Sequence, residues 1–151
     1  MTSGYLPVFV SDEGRRMVMA SYGAVLDCWP VPYQEVDVPT SFGITHVIAS
    51  GPAQGPPVVL MPALFATATA WYRTVGALSG QYRTLAIDIL GEANKSRPTR
   101  PITSPKDYVQ WFTELIDGLG VSQMALVGNS MGGWGSAYCA MNLPDRVERL
   151  V

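Results

Sequence analysis

With 151 residues, 48% of them hydrophobic and 15% charged, the chain is long enough for one cored domain and too apolar for a disordered one. Ten Lys and Arg against twelve Asp and Glu leave a net charge of -2; no clustered basic face offsets it, which argues against nucleic acid or an anionic membrane as partner. Cys28 and Cys139 stand in unrelated contexts and make neither a disulfide framework nor a metal site, no apolar stretch reaches the roughly 18 residues of a membrane span, and the start lacks a secretory signal, so a cytoplasmic setting is expected.

Residues 12–27 place Met17, Val18, Ala20, Ala24 and Val25 at helix-compatible positions, with Ser11 or Asp12 as cap. They predict an N-terminal helix that stops before Trp29-Pro30-Val31-Pro32, because a residue preceding proline disfavours the α region. Residues 1–32 are thus expected as a helical segment ahead of a domain at 33–151. Tyr33 to Val38 and Phe42 to Ala49 alternate around Pro39-Thr40-Ser41, the pattern of a hairpin at a sheet edge. After the loop from Gly51 to Pro57, the continuous apolar run Val58–Met61 suits a strand buried on both faces. A helix at about Thr69–Leu78 and a strand at Tyr82–Ile87 follow.

The next helix is better marked. Ser104 is its cap, Pro105 its first residue and Asp107 the acid of a capping box. Tyr108, Trp111, Phe112, Leu115, Ile116 and Leu119 keep helical spacing up to Gly118 and Gly120. Met124–Val127 is another buried strand, a helix runs from Ser130 to about Asn142 before Leu143-Pro144, and Val147–Val151 begins a further strand. Strands alternating with helices imply an α/β fold around a mostly parallel sheet, with an antiparallel hairpin in front and flanking helices. Because the sequence stops as a strand starts, it reads as the N-terminal part of something longer.

Ser130 lies in Gly128-Asn129-Ser130-Met131-Gly132, between the strand at 124–127 and the helix that follows. A sharp strand-to-helix turn would strain the serine backbone and lift its hydroxyl above the sheet edge. Flanking glycines leave room for the crossing chain. At a helix N-terminus the Met131 N–H can face an oxyanion formed when the serine attacks a carbonyl. Two plainer roles remain open on these residues: Ser130 as a simple helix cap, or the turn as an anion cradle, although neither a dinucleotide-binding nor a P-loop glycine pattern is present.

The segments Pro57–Ala63, Ala86–Gly91, Ala125–Gly133 and Leu143–Val151 resemble, in order and spacing, landmarks of the α/β-hydrolase superfamily, and Phe42–Val47 fits its leading hairpin. The resemblance covers roughly residues 33–151. It implies a serine hydrolase working by acyl transfer on a carboxylic ester or related small-molecule acyl substrate, without a cofactor. It also implies a second oxyanion donor just after the third strand. By position this is the N–H of Ala63, although Met61-Pro62 replaces the family's usual His-Gly pair. Asp88 matches a loop-shaping position rather than the triad acid.

The family's order is serine, acid, histidine, whereas the one histidine, His46, precedes the serine and lies on a predicted edge strand. Asp145 and Glu148 belong to a helix-to-strand connection and are expected to be solvated. The chain is therefore expected to lack its acid and base and to be inactive alone. The alternatives are a non-catalytic binding module retaining half of the fold, or a relative using the elbow for acyl transfer to other acceptors or for cofactor-free peroxidase chemistry. The oligomeric state is not legible.

Overall fold

In the computed structural model, which describes residues 4–151, the first element is helix α1 (Asp12–Leu26), whose cap Ser11 accepts a hydrogen bond from the Gly14 N–H. The hairpin of β1 (Tyr33–Thr40) and β2 (Gly43–Ser50) follows, then β3 (Pro57–Met61). A short 3-10 turn at Ala68–Trp71 leads into α2 (Tyr72–Leu78) and β4 (Arg83–Ile87). The two-residue β5 (Arg97–Pro98), α3 (Pro105–Gly118), β6 (Met124–Gly128), α4 (Met131–Asn142) and β7 (Val147–Leu150) complete the order.

The strands form one mixed sheet ordered β1-β2-β4-β3-β6-β7, with β5 alongside β2. The β1–β2, β2–β4 and β2–β5 pairs are antiparallel, and β4–β3, β3–β6 and β6–β7 are parallel. Side chains alternate between the two faces with the period of two that strands impose. Val47, Val59, Met61, Leu85, Ile87 and Leu126 point toward α3, where Trp111, Phe112, Leu115 and Ile116 are fully buried. Ile48, Val58, Leu60 and Ala86 point the other way, toward Tyr22 and Leu26 of α1, Trp29 and Val75 of α2. Helix α1 is thus a cover for this second face, and Trp29 is fixed there by its indole N–H donating to Ser50 Oγ at 3.0 Å.

Helix α3 starts as its sequence dictates. Ser104 Oγ accepts from the Asp107 N–H at 3.1 Å, Asp107 Oδ2 accepts from the Ser104 N–H at 3.0 Å, and Pro105 needs no donor partner. Three local expectations need correction. The helix drawn from Thr69 opens as a 3-10 turn capped by Thr67. The hairpin strands run to Thr40 and from Gly43, so Pro39 sits within an edge strand, where a missing donor is harmless. His46 is on β2, inside the sheet between β1 and β4, and not on the edge. Among the described residues no helix is long and apolar enough to cross a membrane.

Candidate active site

Strand β6 ends at Gly128, and α4 begins three residues later at Met131. The reversal between them forces Ser130 to φ 53° and ψ -116°, a conformation that costs an L-residue on the order of 1–3 kcal/mol. Tight packing holds it there. A Cβ on Gly128 would run into the Gly132 backbone, and one on Gly132 into the carbonyls of Met61 and Pro62. The Asn129 N–H donates to the Met61 carbonyl at 3.1 Å, and the Gly132 N–H closes the turn on the Asn129 carbonyl at 2.9 Å.

The Ser130 side chain makes no capping hydrogen bond, so the plain cap role does not describe it. With Met131 and Trp134 it lines an open recess of about 430 Å³. The Met131 N–H is at the first position of α4, ahead of the helix's own hydrogen-bond ladder and at the positive end of its dipole. Met61 is paired with Gly128 across β3 and β6, so Ala63 and Ser130 each lie two residues past a matched register point. Beyond Ala63 the chain turns tightly: its carbonyl accepts from the Ala66 N–H at 3.0 Å, with Phe65 at φ 61°.

Asp88 directly follows β4 and is fully buried. Burial raises its carboxyl, which is opposed by the backbone N–H groups of Ala68 (2.7 Å) and Lys95 (3.1 Å) that donate to its two oxygens. It thereby ties the end of the loop following β3 to the loop following β4. This is a positioning role, as the sequence reading held. Cys139, in α4, is 1% exposed, and burial pushes its thiol up to about 12, which keeps it protonated and inert. Among the described residues no group of His, Cys, Asp and Glu is arranged to hold a metal ion.

His46 is not brought to Ser130. Three strand spacings of about 4.8 Å separate β2 from β6, a lateral distance of roughly 14 Å. Instead its Nδ1 lies 2.7 Å from Asp37 Oδ1, and its Nε2 lies 2.9 Å from Glu35 Oε2 without the alignment of a hydrogen bond. Asp37 Oδ2 accepts from Arg97 at 2.7 Å, and Lys95 pairs with Glu35. The sequence reading missed this cluster; the signal lay in the spacing of Glu35 and Asp37, both on the face of β1 that meets His46. Partial burial alone would raise both carboxyls, but hydrogen bonds from Lys95 to Glu35, and from His46 and Arg97 to Asp37, outweigh it and hold both below the usual range.

A carboxyl depressed in the fold contributes stability above its unfolded pKa and loses it as pH falls through the folded value. Stability should therefore drop on acidification below about pH 4. Asp88, raised by burial, acts in the opposite sense and becomes less costly in acid. Asp37→Asn should accordingly flatten the acid side of a plot of urea midpoint against pH. An unchanged slope would show that the cluster is not linked to folding.

A family model described as alpha/beta hydrolase fold matches residues 56–151. Carboxylesterase YbfK of Bacillus subtilis is 36% identical over 140 residues, covering 93% of this chain and 47% of that protein. The uncharacterized carboxylesterase nap of the same organism is 37% identical over 139 residues, covering 92% and 46%. The crystal structure of naproxen esterase (carboxylesterase NP) from B. subtilis superposes with a TM-score of 0.87 at 37% identity, over 93% of this chain and 49% of that one. The chain spans about half the length of the curated relatives it matches.

Proposed function

Because the chain belongs to the alpha/beta-hydrolase fold family, we infer that it carries the nucleophile of a serine carboxylesterase, with Ser130 as the attacking residue. The ester class follows its B. subtilis relatives, which are described as carboxylesterases. The observation that carries the reading is the strained, uncapped Ser130 at the β6–α4 junction, its recess open beside it. Strain at one residue, maintained by glycines packed on backbone, is expected where a side chain must be presented rather than buried.

In the proposed reaction Ser130 Oγ bonds to the ester carbonyl carbon and gives up its proton to a base. The carbonyl oxygen becomes an oxyanion held by the N–H groups of Met131 and Ala63. Collapse breaks the bond to the alcohol, which leaves with a proton, and water then releases the acid from the acyl-serine. The 151 residues hold one histidine, placed on β2 and engaged by carboxylates. The base and its orienting acid are thus assigned to residues outside this sequence. As given, the chain is expected not to turn over. That same engagement of His46 favours the second reading, a binding module on the hydrolase fold.

Covalent trapping separates the two. An oxyanion site without its base retains roughly 10³–10⁴-fold catalysis over water, enough for one slow stoichiometric event. An activated fluorophosphonate should modify the folded chain at Ser130, located by peptide mapping, and leave Ser130→Ala unmodified. Modification no faster than in the urea-unfolded chain would remove the nucleophile assignment.

A further inference from the structure

Within α1, Tyr22 and Leu26 are the buried residues. Tyr22 is 2% exposed and sits where several segments meet. Its ring meets the His46 imidazole of β2 edge-on at 6.3 Å, and the Lys95 ammonium of the loop after β4 lies 4.6 Å from its centroid. It shares a core cluster with the fully buried Ala68, and α1 packs against the 3-10 turn that opens there. The Tyr22 hydroxyl is enclosed against the Asp88 carboxyl, short of the alignment of a hydrogen bond. Burial raises the phenol above its ordinary value, and the Asp88 carboxyl raises it further. Burial also raises Asp88, and Tyr22 opposes this together with the Ala68 and Lys95 N–H groups and His46. An enclosed hydroxyl is costly without a polar neighbour, so the two groups hold each other in place.

The loop that Asp88 holds is the one that carries Ala63. It leaves β3 at the fully buried Met61 and returns to the core at Ala68, whose N–H donates to Asp88 Oδ1 at 2.7 Å. Between them Pro62 has a fixed φ. The turn closed by the Ala66 N–H on the Ala63 carbonyl holds Phe65 at φ 61°, where a side chain is strained. Such a turn keeps its shape only while its surroundings hold it. Strand pairing fixes one end, and Asp88 with the packing of Ala68 fixes the other. What aims the Asp88 carboxylate therefore bears on where the Ala63 N–H points.

We propose that Tyr22 is a positioning residue: its buried hydroxyl keeps the Asp88 carboxyl aimed at the Ala68 N–H, and through that bond α1 sets where the Ala63 N–H stands relative to Ser130. The consequence for reaction rests on the serine-hydrolase reading, in which Ala63 is an oxyanion donor; the consequence for the loop does not. Removing such a donor outright costs roughly 10²–10³ in rate, and displacing it is expected to cost roughly tenfold.

The test compares Tyr22→Phe, which keeps the ring and removes the hydroxyl, with Ile116→Val, which thins the core on the opposite face of the sheet. In the isotope-labelled 151-residue chain, Tyr22→Phe should move the Ala63 amide signal. It should also speed hydrogen exchange at Ala68 beyond what its urea midpoint accounts for. Fluorophosphonate modification of Ser130 in the folded chain should slow roughly tenfold. Ile116→Val, at an equal or greater loss of urea midpoint, should change neither the Ala63 signal nor the modification rate. A tyrosine that only filled the core would move the midpoint alone. A stationary Ala63 signal in Tyr22→Phe, an unslowed modification of Ser130, or an equal displacement in Ile116→Val overturns the proposal. Displacement of Ala63 in a chain whose Ser130 is never modified supports the link to the loop and sinks the hydrolase reading alone.

Discussion

Gly132→Ala should destabilise the fold by roughly 3 kcal/mol, at the upper end of what overpacking costs. The reason is what the new methyl would meet. Its obstacles are the carbonyls of Met61 and Pro62, main-chain atoms that cannot swing aside as the end of a side chain can. Met61 cannot retreat easily, because β3 is hydrogen-bonded to β4 on one side and β6 on the other, and Met61 is fully buried. Gly133 supplies the control. A Cβ there comes 3.2 Å from the Gly128 carbonyl, a contact that a shift of a few tenths of an ångström relieves. Alanine also favours a helix over glycine by up to about 1 kcal/mol. Gly133→Ala should therefore stay within about 1 kcal/mol of the parent. Urea unfolding measures both, with an unchanged m-value expected for each. Equal midpoints for the two variants would mean that the elbow is not packed as described. The Gly132 variant has a second consequence: any relief must come from moving Pro62 and with it Ala63, the proposed oxyanion donor.

Much of this architecture was legible in the residues. The spacing of Tyr108, Trp111, Phe112, Leu115 and Ile116 marked a core-facing helix, and all five are buried. Ser104, Pro105 and Asp107 marked where it starts. Continuous apolar runs marked β3 and β6 as interior strands, since strands covered on both faces have no polar side to show. What stayed hidden depended on contacts between distant segments. The two residues of β5 pair with β2 only because the loop after β4 returns to it, and nothing in Arg97-Pro98 announces a strand. The ion-pair cluster at His46 needed the β1–β2 register, in which Asp37 faces His46, together with Lys95 and Arg97 from that same loop.

The site was half legible for the same reason. Gly128, Ser130 and Gly132 could be read as a turn between strand and helix, but the collision that makes Gly132 necessary lies across the sheet at Met61 and Pro62. Trp134 looked like one more apolar residue in a helix. Its edge-on contact with Tyr108 follows from where α3 lies against α4, which no local pattern encodes.

Ser130 itself poses the larger prediction. A triad serine deprived of its base loses on the order of 10⁶ in kcat, because the hydroxyl then attacks without transferring its proton. The strained backbone, the Met131 N–H and the helix dipole remain, and they stabilise charge only after attack has begun. His46 cannot substitute from roughly 14 Å away; a base must come within about 2.6–3.2 Å of the oxygen it serves. Under the proposed assignment, holding Ser130 in position and turning it over are separate properties, and the second needs a base that His46 does not supply.

The measurement that tests this most directly is hydrolysis of p-nitrophenyl butyrate by the 151-residue chain and by its Ser130→Ala variant, followed over many equivalents of substrate. Over those equivalents the parent chain should release p-nitrophenol no faster than Ser130→Ala, since neither has a base for sustained turnover. Sustained turnover that Ser130→Ala abolishes would contradict it, by showing that a base for Ser130 lies within these residues after all.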